Sequence, residues 1–314
     1  MTELPAPTLA SLSTGGKSAL AAALARLERA PEDAGTLALL DAAYAAPRAQ
    51  VVGVTGPPGV GKSTLLGALI RHWRRAGKTV GVIAVDPSSR LSGGALLGDR
   101  TRLRTDPDDA GIFVRSMAAR DKLGGLAALT VSAMVLMRAL FDVVLIETVG
   151  VGQSETDVAG AADTVVLCVQ PGSGDSLQIM KAGIVEIPHV VAVTKSDLGE
   201  AAERARGDAV AVLGLAESAG ADHWPVAVLM LSAAHGDCIE ALAELVDRHW
   251  SWLGDGDRLA EARRAQAEHW LIEGLRESFG RDGLRRAGEV AIAPAESPFR
   301  ALARVALALR ARKS

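Results

Sequence analysis

The sequence has few aromatic residues and few cysteines. Aromatic side chains make up 3% of the 314 residues, so the core has to be built from Ala, Val, Leu and Ile, which suits helices packed on a parallel sheet. Cys168 and Cys238, both within apolar runs, are too few for a disulfide framework or a thiolate metal site. We expect two core thiols in a reducing compartment.

The chain also lacks a strong charge imbalance and a long apolar run. A net charge of −3 gives no general attraction to nucleic acid or to a membrane surface. There is no run of eighteen uninterrupted apolar residues, and residues 1–18 have neither a charged start nor a continuous apolar block. These absences predict a soluble, cytoplasmic protein without nucleic-acid or membrane partners.

The most informative stretch is a glycine-rich loop between an apolar run and a helical pattern. Its spacing is that of a P-loop, in which backbone N–H groups and a helix N-terminus surround a polyphosphate. Within it, Lys62 is expected to reach the β- and γ-phosphates and Ser63 to hold Mg²⁺. The predicted nucleotide-binding residues here are Gly56, Pro57, Pro58, Gly59, Val60, Gly61, Lys62, Ser63 and Thr64.

Apolar runs alternate with helical patterns from about residue 50 to 253, which predicts βαβ units on a mostly parallel sheet. The fold class is therefore α/β, a P-loop NTPase whose sheet is flanked by helices. The expected strands are 50–55, 80–85, 112–115, 142–147, 164–170, 190–194 and 226–231. We predict three segments: an N-terminal tail (1–16) and helices within 1–48, a nucleotide-binding P-loop domain (49–254), and a C-terminal helical arm (255–314).

Two carboxylates lie after the second predicted strand. Asp86 ends that strand, where it could order Mg²⁺ directly or through water, or could equally cap a helix or turn. Asp99 lies in a stretch without helical or strand periodicity, so the residues alone indicate a solvated loop carboxylate.

The fourth apolar run ends in Glu147 and is followed at once by glycines. This pattern is typical of a Walker B strand and a switch, and it places Glu147 near Mg²⁺ or the attacking water. Gly150 could present its N–H group to the γ-phosphate. Gln153 could orient a water, or could be an ordinary polar loop residue.

The sixth run ends in Thr194-Lys195-Ser196-Asp197, a pattern that reads guanine in GTPases. There the aspartate accepts hydrogen bonds from the ring N1–H and the amine of guanine, while the lysine stem lies along the base. Adenine lacks this pair of donors. One strand later, the segment expected to close over the base is Ser232, Ala233 and Ala234.

Taken together, these strings closely resemble the MeaB/ArgK/MMAA family of P-loop GTPases, which are chaperones of adenosylcobalamin-dependent acyl-CoA mutases. The similarity covers roughly residues 50 to 200. The matching strings are GPPGVGKST (56–64), AVDPSS (84–89), GGALLGDRTR (93–102), LGGLA (123–127), ETVGVGQSE (147–155), QPGSGDSLQIMKAG (170–183) and TKSD (194–197).

The resemblance implies roles beyond those worked out from the residues. Asp86 and Asp99 become Mg²⁺-shell residues, and the catalytic candidates become Lys62, Glu147, Asp99 and Gln153; Ser63 and Glu147 complete the metal set. Residues 172–181 resemble the family's additional switch to the mutase, with Asp175 and Lys181 as its positions. The C-terminal helices resemble the family's homodimer arm.

The chain departs from the family pattern at two places. Thr194 stands where many GTPases have Asn, whose amide braces the base-binding loop. Residues 120–122, Arg-Asp-Lys, replace smaller residues before LGG, which suggests a loop adapted to a different mutase.

Two functions are therefore compared. The first is a GTP·Mg²⁺-dependent chaperone that gates adenosylcobalamin loading, protection or reactivation of a partner mutase. The alternative is an ATP-dependent kinase or ATPase of the ArgK amino-acid-transport type, against which the TKSD run argues. Two further classes fit poorly: a partitioning ATPase expects a lysine where Pro57 stands, and a metal-delivering GTPase expects a histidine or cysteine cluster, whereas the six histidines are scattered.

Overall fold

A computed structural model describes residues 6–87, 103, 105–119, 128–148, 158–172, 187–216 and 223–311. In chain order its elements are α1 (Leu9–Arg29), α2 (Ala34–Ala45), β1 (Gln50–Thr55), α3 (Lys62–Arg75), β2 (Val80–Pro87), β3 (Ile112–Ala119), α4 (Ala128–Leu140), β4 (Val143–Glu147), β5 (Thr164–Val169), β6 (Val190–Val193), α5 (Glu200–Ala216), β7 (Ala227–Met230), α6 (Ile239–Gly254), α7 (Arg258–Ala287) and α8 (Pro298–Ala311).

The chain groups into two compact units. One, the sheet unit, contains residues 50–126 and 143–259; the other, the helical unit, contains residues 1–49, 127–142 and 260–314. Helix α4, which lies within the predicted 49–254 segment, is part of the helical unit. The division into three consecutive segments stays a prediction.

The sheet unit is built on a parallel sheet, as predicted. Within the described residues its seven strands run in the order β3-β2-β4-β1-β5-β6-β7, and every neighbouring pair is parallel. Strands β1, β4, β5 and β6 are buried along their whole length. Their valine-rich sequences follow from this burial, because a strand covered by helices on both faces has no solvent side for polar residues.

Apolar helix faces cover the two sides of this sheet. On one side α3 and α6 pack together, and the largest side chain of α3, Trp73, is 1% exposed. On the other side α5 buries Ala202, Ala209 and Leu213 against β5 and β6. This packing fixes the carboxyl ends of β1, β4, β5 and β6 along one edge, where ligands bind in open α/β sheets.

The helical unit has its own cores. Helix α4 packs against α1 and α2. Helices α7 and α8 bury Leu271, Leu275, Ala301 and Leu309 in a shared cluster. Gly274 of α7 allows this approach, since a Cβ atom there would lie 2.8 Å from Leu302 Cδ2.

The prediction of a loose tail over residues 1–16 was wrong for its second half. Helix α1 begins at Leu9, and Thr8 caps it by accepting from Ser11 N at 3.2 Å while Thr8 N donates back to Ser11 Oγ at 2.9 Å. This reciprocal cap satisfies N–H groups that a frayed start would leave to water. Gly16, with φ of +64°, breaks the helix, and a second helical stretch follows it.

One smaller expectation was also wrong. Cys238 is exposed at the residue before α6, whereas Cys168 is buried as predicted. Within α7, Gly280 has φ of +67° and interrupts the helix, which then continues to Ala287. In the described residues no helix is long and apolar enough to cross a membrane.

Candidate nucleotide-binding site

The loop between β1 and α3 has the backbone shape that a P-loop needs. Gly56, Gly59 and Gly61 have φ values of +137°, +75° and +100°, which residues with a Cβ atom rarely adopt. Gly56 is restricted sterically as well, because a Cβ atom there would lie 2.3 Å from the backbone oxygen of Cys168. The two outer residues Pro58 and Gly59 are exposed, and Val60 is buried beneath them.

Lys62 lies within this loop. Its side chain is buried, and Nζ donates to the backbone oxygens of Gly56 at 2.7 Å and Pro57 at 3.1 Å. The loop therefore holds an ammonium group at the N-terminus of α3, where positive charge and backbone N–H groups favour an anion.

Ser63 and Glu147 meet although 84 residues separate them in sequence. Ser63 Oγ donates to Glu147 Oε1 at 2.8 Å, and Glu147 is 6% exposed. The register explains this contact, because Glu147 at the end of β4 pairs with Val54 of β1, the strand that leads into the loop. A hydroxyl and a carboxylate are oxygen donors of the kind that Mg²⁺ prefers, so these two residues fit the predicted ion.

The structure also connects the loop after β6 to the P-loop. Thr194 is buried, and its hydroxyl lies 2.8 Å from the backbone oxygen of Val60 and 3.0 Å from that of Val169. Thr194 thus bridges the two loops through its hydroxyl group. This contact lies at the position where many GTPases have the asparagine amide.

Lys195 and Asp197 follow Thr194 in the same loop. Lys195 has a left-handed backbone, with φ of +57°, and its Nζ donates to Gln170 Oε1 at 2.5 Å. Asp197 accepts from Ser232 Oγ at 2.7 Å. The Ser232 hydroxyl is the main cause that lowers the pKa of Asp197, so this carboxyl is ionised and can accept the hydrogen bonds of a base edge.

The segment after β7 folds over next to Asp197. Ser232 is buried and pairs with Asp237 through an isolated antiparallel bridge, while Ala233 is half-buried and Ala234 is exposed. The structure therefore brings Lys195, Asp197 and Ser232 together on the edge of the sheet that also carries the P-loop.

Several predicted site residues lie outside the described part of the chain. These are Asp99, Gly150, Gln153, Asp175 and Lys181. Asp86 lies in β2, one position before its end, but its side chain is not among those described. Thr64 is at the exposed start of α3. The roles of these residues stay predictions.

Three contacts of the site were missed by reasoning from the sequence. They are the Thr194 bridge to Val60, the Gln170 acceptor for Lys195, and His235 beside Ser232. Only the position of Gln170 at the end of the fifth apolar run could have indicated its place, because strand ends collect at one edge. Loop contacts such as those of His235 leave no periodic pattern.

Buried Cys168, directly behind the P-loop, is not a reactive group. Burial raises the pKa of its thiol to about 12, so the thiol stays protonated at neutral pH. Among the described residues no group of three or more His, Cys, Asp or Glu could hold a metal ion.

Comparison with known proteins agrees with this geometry. The family model described as methylmalonyl-CoA mutase-associated GTPase MeaB matches residues 19–282. A relative in Pyrococcus horikoshii, named as a GTPase, is 44% identical over 225 residues, which is 70% of each chain. The methylmalonic aciduria type A homolog, mitochondrial, of Mus musculus is 37% identical over 230 residues, 72% of this chain and 55% of the mouse protein.

The structural comparison extends to the flanking helices. The crystal structure of an LAO/AO transport system kinase matches with a TM-score of 0.69 and 28% identity, over 89% of this chain and 87% of that chain. Together with the match to the family model over most of the sequence, this similarity covers both the sheet unit and much of the helical unit. The chain belongs to the MeaB family of P-loop GTPases.

Proposed function

We propose that this GTPase is a guanine-nucleotide switch that gates adenosylcobalamin loading, protection or reactivation of a partner acyl-CoA mutase. The proposal of a bound guanine nucleotide rests mainly on the Thr194 hydroxyl. This group lies 2.8 Å from Val60 O and so joins the base-binding loop to the P-loop. A nucleotide held by its phosphates at Lys62 would then find Asp197 next to its base.

Selection of guanine rests on the Asp197 carboxylate. It is ionised and oriented by the Ser232 hydroxyl, with Lys195 held by Gln170 beside it. Guanine offers a ring N–H and an amine to such an acceptor, whereas adenine would leave the carboxylate without these donors. We therefore expect GTP and GDP to bind and ATP to be rejected.

Hydrolysis would use the residues around the P-loop. Lys62 would stabilise negative charge on the β- and γ-phosphate oxygens, and Glu147 would act near the attacking water, with Gly150, Gln153 and Asp99 as the further candidates. Ser63, Glu147, Asp86 and Asp99 are the residues proposed to hold Mg²⁺, which when bound neutralises charge on the phosphates.

The hydrolysis rate is expected to be slow without a partner. Switch GTPases that lack their activator turn over at about 10⁻⁴ to 10⁻² s⁻¹. A partner that orders the switch segments would raise this rate. Asp175 and Lys181 are the positions proposed for relaying the nucleotide state to the partner.

The proposal of a mutase partner is supported by the family description, which names a methylmalonyl-CoA mutase-associated GTPase, and by the mouse relative named for methylmalonic aciduria. We also propose that the protein is a homodimer. The alternative is the activity in the name of the structural neighbour, a transport system kinase, which would require ATP. The geometry at Asp197 favours guanine over that alternative.

The test is steady-state hydrolysis of GTP and ATP by the purified protein, alone and with each of several cobalamin-dependent acyl-CoA mutases. The proposal expects slow turnover of GTP only, with a rise of at least about tenfold when the cognate mutase is added. A mutase denatured by heat is the control for non-specific stimulation. Turnover of ATP at a comparable rate, or indifference to every mutase, would contradict the proposed function.

A further inference from the structure

A histidine lies next to the two residues that hold the base-reading carboxylate in place. His235, in the loop after β7, has Nδ1 at 3.1 Å from Ser232 Oγ and at 3.9 Å from Asp197 Oδ1. The imidazole is 62% exposed. None of the site predictions from the sequence included this residue.

The hydrogen-bond directions in this group can be worked out from the donors. Ser232 has one hydroxyl proton, and that proton is donated to Asp197 Oδ1 at 2.7 Å. Ser232 Oγ must therefore accept from His235, which means that Nδ1 carries a hydrogen. The chain of donors runs from His235 through Ser232 to Asp197, and it points the serine hydroxyl at the carboxylate.

We propose that His235 is a positioning residue for guanine recognition, acting through Ser232, and that its protonation weakens guanine binding. The inference rests on the proposed function, because it assumes that Asp197 accepts from the guanine base. It adds a residue and a pH dependence to that site.

The charge balance gives the direction of the effect. Within the described chain, the side chains that act on the charge of Asp197 are Ser232, His235 and Lys195, and Lys195 Nζ donates to Gln170 Oε1. Asp237, on the same loop as His235, pairs with Ser232 through its backbone. The positive charge of protonated His235 would attract the carboxylate of Asp197. The carboxylate would then be a weaker acceptor for the N–H groups of the base.

Neutral His235 keeps the Nδ1–H donor without adding this charge. Because the imidazole and the carboxylate are both partly exposed, solvent screens their interaction, and we expect a change in GDP affinity of about threefold and no more than about fivefold.

The test measures GDP dissociation constants between pH 5.5 and 8.0 at constant ionic strength for the wild type, His235→Asn and His235→Ala. Asparagine keeps a donor near the position of Nδ1 but does not titrate. The ratio of wild-type to His235→Asn constants is the readout, because protonation of the GDP phosphates affects both proteins equally and cancels.

We expect this ratio to rise about threefold from pH 8.0 to pH 5.5. At pH 8.0 His235→Asn should bind within about twofold of the wild type, and His235→Ala more weakly by about fivefold, because only the alanine variant removes the donor. A flat ratio across the pH range, or equal binding by His235→Ala and the wild type at pH 8.0, would overturn the proposal.

A third variant tests whether His235 acts through Asp197. In Asp197→Asn the carboxylate is replaced by a neutral amide, so adding His235→Asn should leave the pH dependence of GDP binding unchanged. A comparison of GDP with ADP separates this inference from the proposed function. If the wild type binds ADP as tightly as GDP at pH 8.0, the guanine assignment itself fails. If guanine is preferred but the ratio is flat, only the role of His235 fails.

Discussion

At the scale of single residues, Thr194 changes how the base-binding loop is held. The sequence pattern indicated a weaker brace, since a threonine stands where an asparagine amide is common. In the structure the hydroxyl lies 2.8 Å from Val60 O and 3.0 Å from Val169 O, and the side chain is 3% exposed. A buried hydroxyl with two acceptors in reach is a specific tie between loops.

Removing this tie should weaken nucleotide binding. Thr194→Ala removes the hydroxyl donor from the Val60 carbonyl, whereas Val169 O keeps the hydrogen bond from Thr194 N at 2.8 Å. We expect GDP affinity to fall about fivefold to thirtyfold, equivalent to about 1–2 kcal/mol. Thr194→Ser keeps the hydroxyl and is the matched control. The measurement is fluorescence titration with labelled GDP. Equal losses in both variants would mean that the methyl group and its packing, not the hydrogen bond, hold the loop.

Some site contacts were predictable and others were not, for physical reasons. Ser63 and Glu147 could be expected to meet because each follows or ends a strand, and ends of parallel strands share an edge. Lys195, which contacts Gln170, has a left-handed backbone, and this conformation cannot be predicted from a lysine in the sequence. Local patterns predict which residues reach the edge, and the loop backbone decides which of them touch.

At the scale of elements, strands were predictable because burial on both faces leaves long valine-rich runs. The start of α1 was not, because Pro, Ser, Thr and Gly before residue 17 have the composition of a loose tail. The cap made by Thr8 and Ser11 uses a serine where the usual signature has Glu or Gln. Helix α4 lies within the predicted 49–254 segment and groups with the helical unit, because sequence order alone does not show which unit a helix packs in.

A cluster of aromatic rings joins β5, β6 and α6 at the edge opposite the P-loop. His249 of α6 is fully buried, its ring centre lies 4.0 Å from that of His189, and Thr164 Oγ1 contacts its Nδ1 at 2.8 Å. Trp224 and Trp252 complete the cluster. Burial lowers the pKa of His249 to about 3 and that of His189 to about 4.

This cluster should make the protein less stable in acid. Both histidines are neutral in the folded state and have a pKa near 6.5 when unfolded, so below pH 6.5 the unfolded state binds more protons. The stability they contribute is complete above pH 6.5 and is lost as pH falls toward 4. From pH 7.5 to pH 5.0 we expect a loss of about 2 kcal/mol per histidine, measured by urea unfolding.

A substitution tests whether His249 causes part of this loss. His249→Phe keeps a ring against Trp252 but cannot be protonated, so the free energy of unfolding should fall less between pH 7.5 and 5.0 than in the wild type. The same substitution at the exposed His223 is the control and should not reproduce the effect of His249→Phe. An identical pH dependence in His249→Phe and wild type would remove this explanation of acid sensitivity.

At the scale of the whole molecule, the C-terminal helix α8 makes contacts within its own chain. Arg300 and Ser297 of the α8 region bind Asp41 of α2, and Arg310 binds Glu32 at 2.8 Å. These contacts hold α8 against the N-terminal part of the same helical unit. Apolar groups nevertheless stay on the surface: Leu307 is 69% exposed and Ile272 is 37% exposed.

We expect the exposed apolar residues of α8 to contribute to the proposed homodimer. Leu307→Glu should convert the dimer to a monomer in sedimentation velocity, with a Tm within a few degrees of the wild type, because the side chain is not part of the monomer core. Val210→Glu on α5, where the valine is 47% exposed, is the control and should stay dimeric. A Leu307→Glu protein that sediments like the wild type would exclude this residue from the interface.

The central claim is that Asp197 recognises the guanine base of a nucleotide whose phosphates bind to the P-loop. The most direct test compares two nucleotides that differ in the base. We would measure hydrolysis of GTP and of xanthosine triphosphate by the wild type and by Asp197→Asn. Xanthine carries an oxygen where guanine has its amine, so the amide of the variant can donate where the carboxylate could only accept. The account predicts that the wild type prefers GTP and that Asp197→Asn prefers xanthosine triphosphate by at least about tenfold. An Asp197→Asn protein that keeps the wild-type preference for GTP would show that the base is read elsewhere.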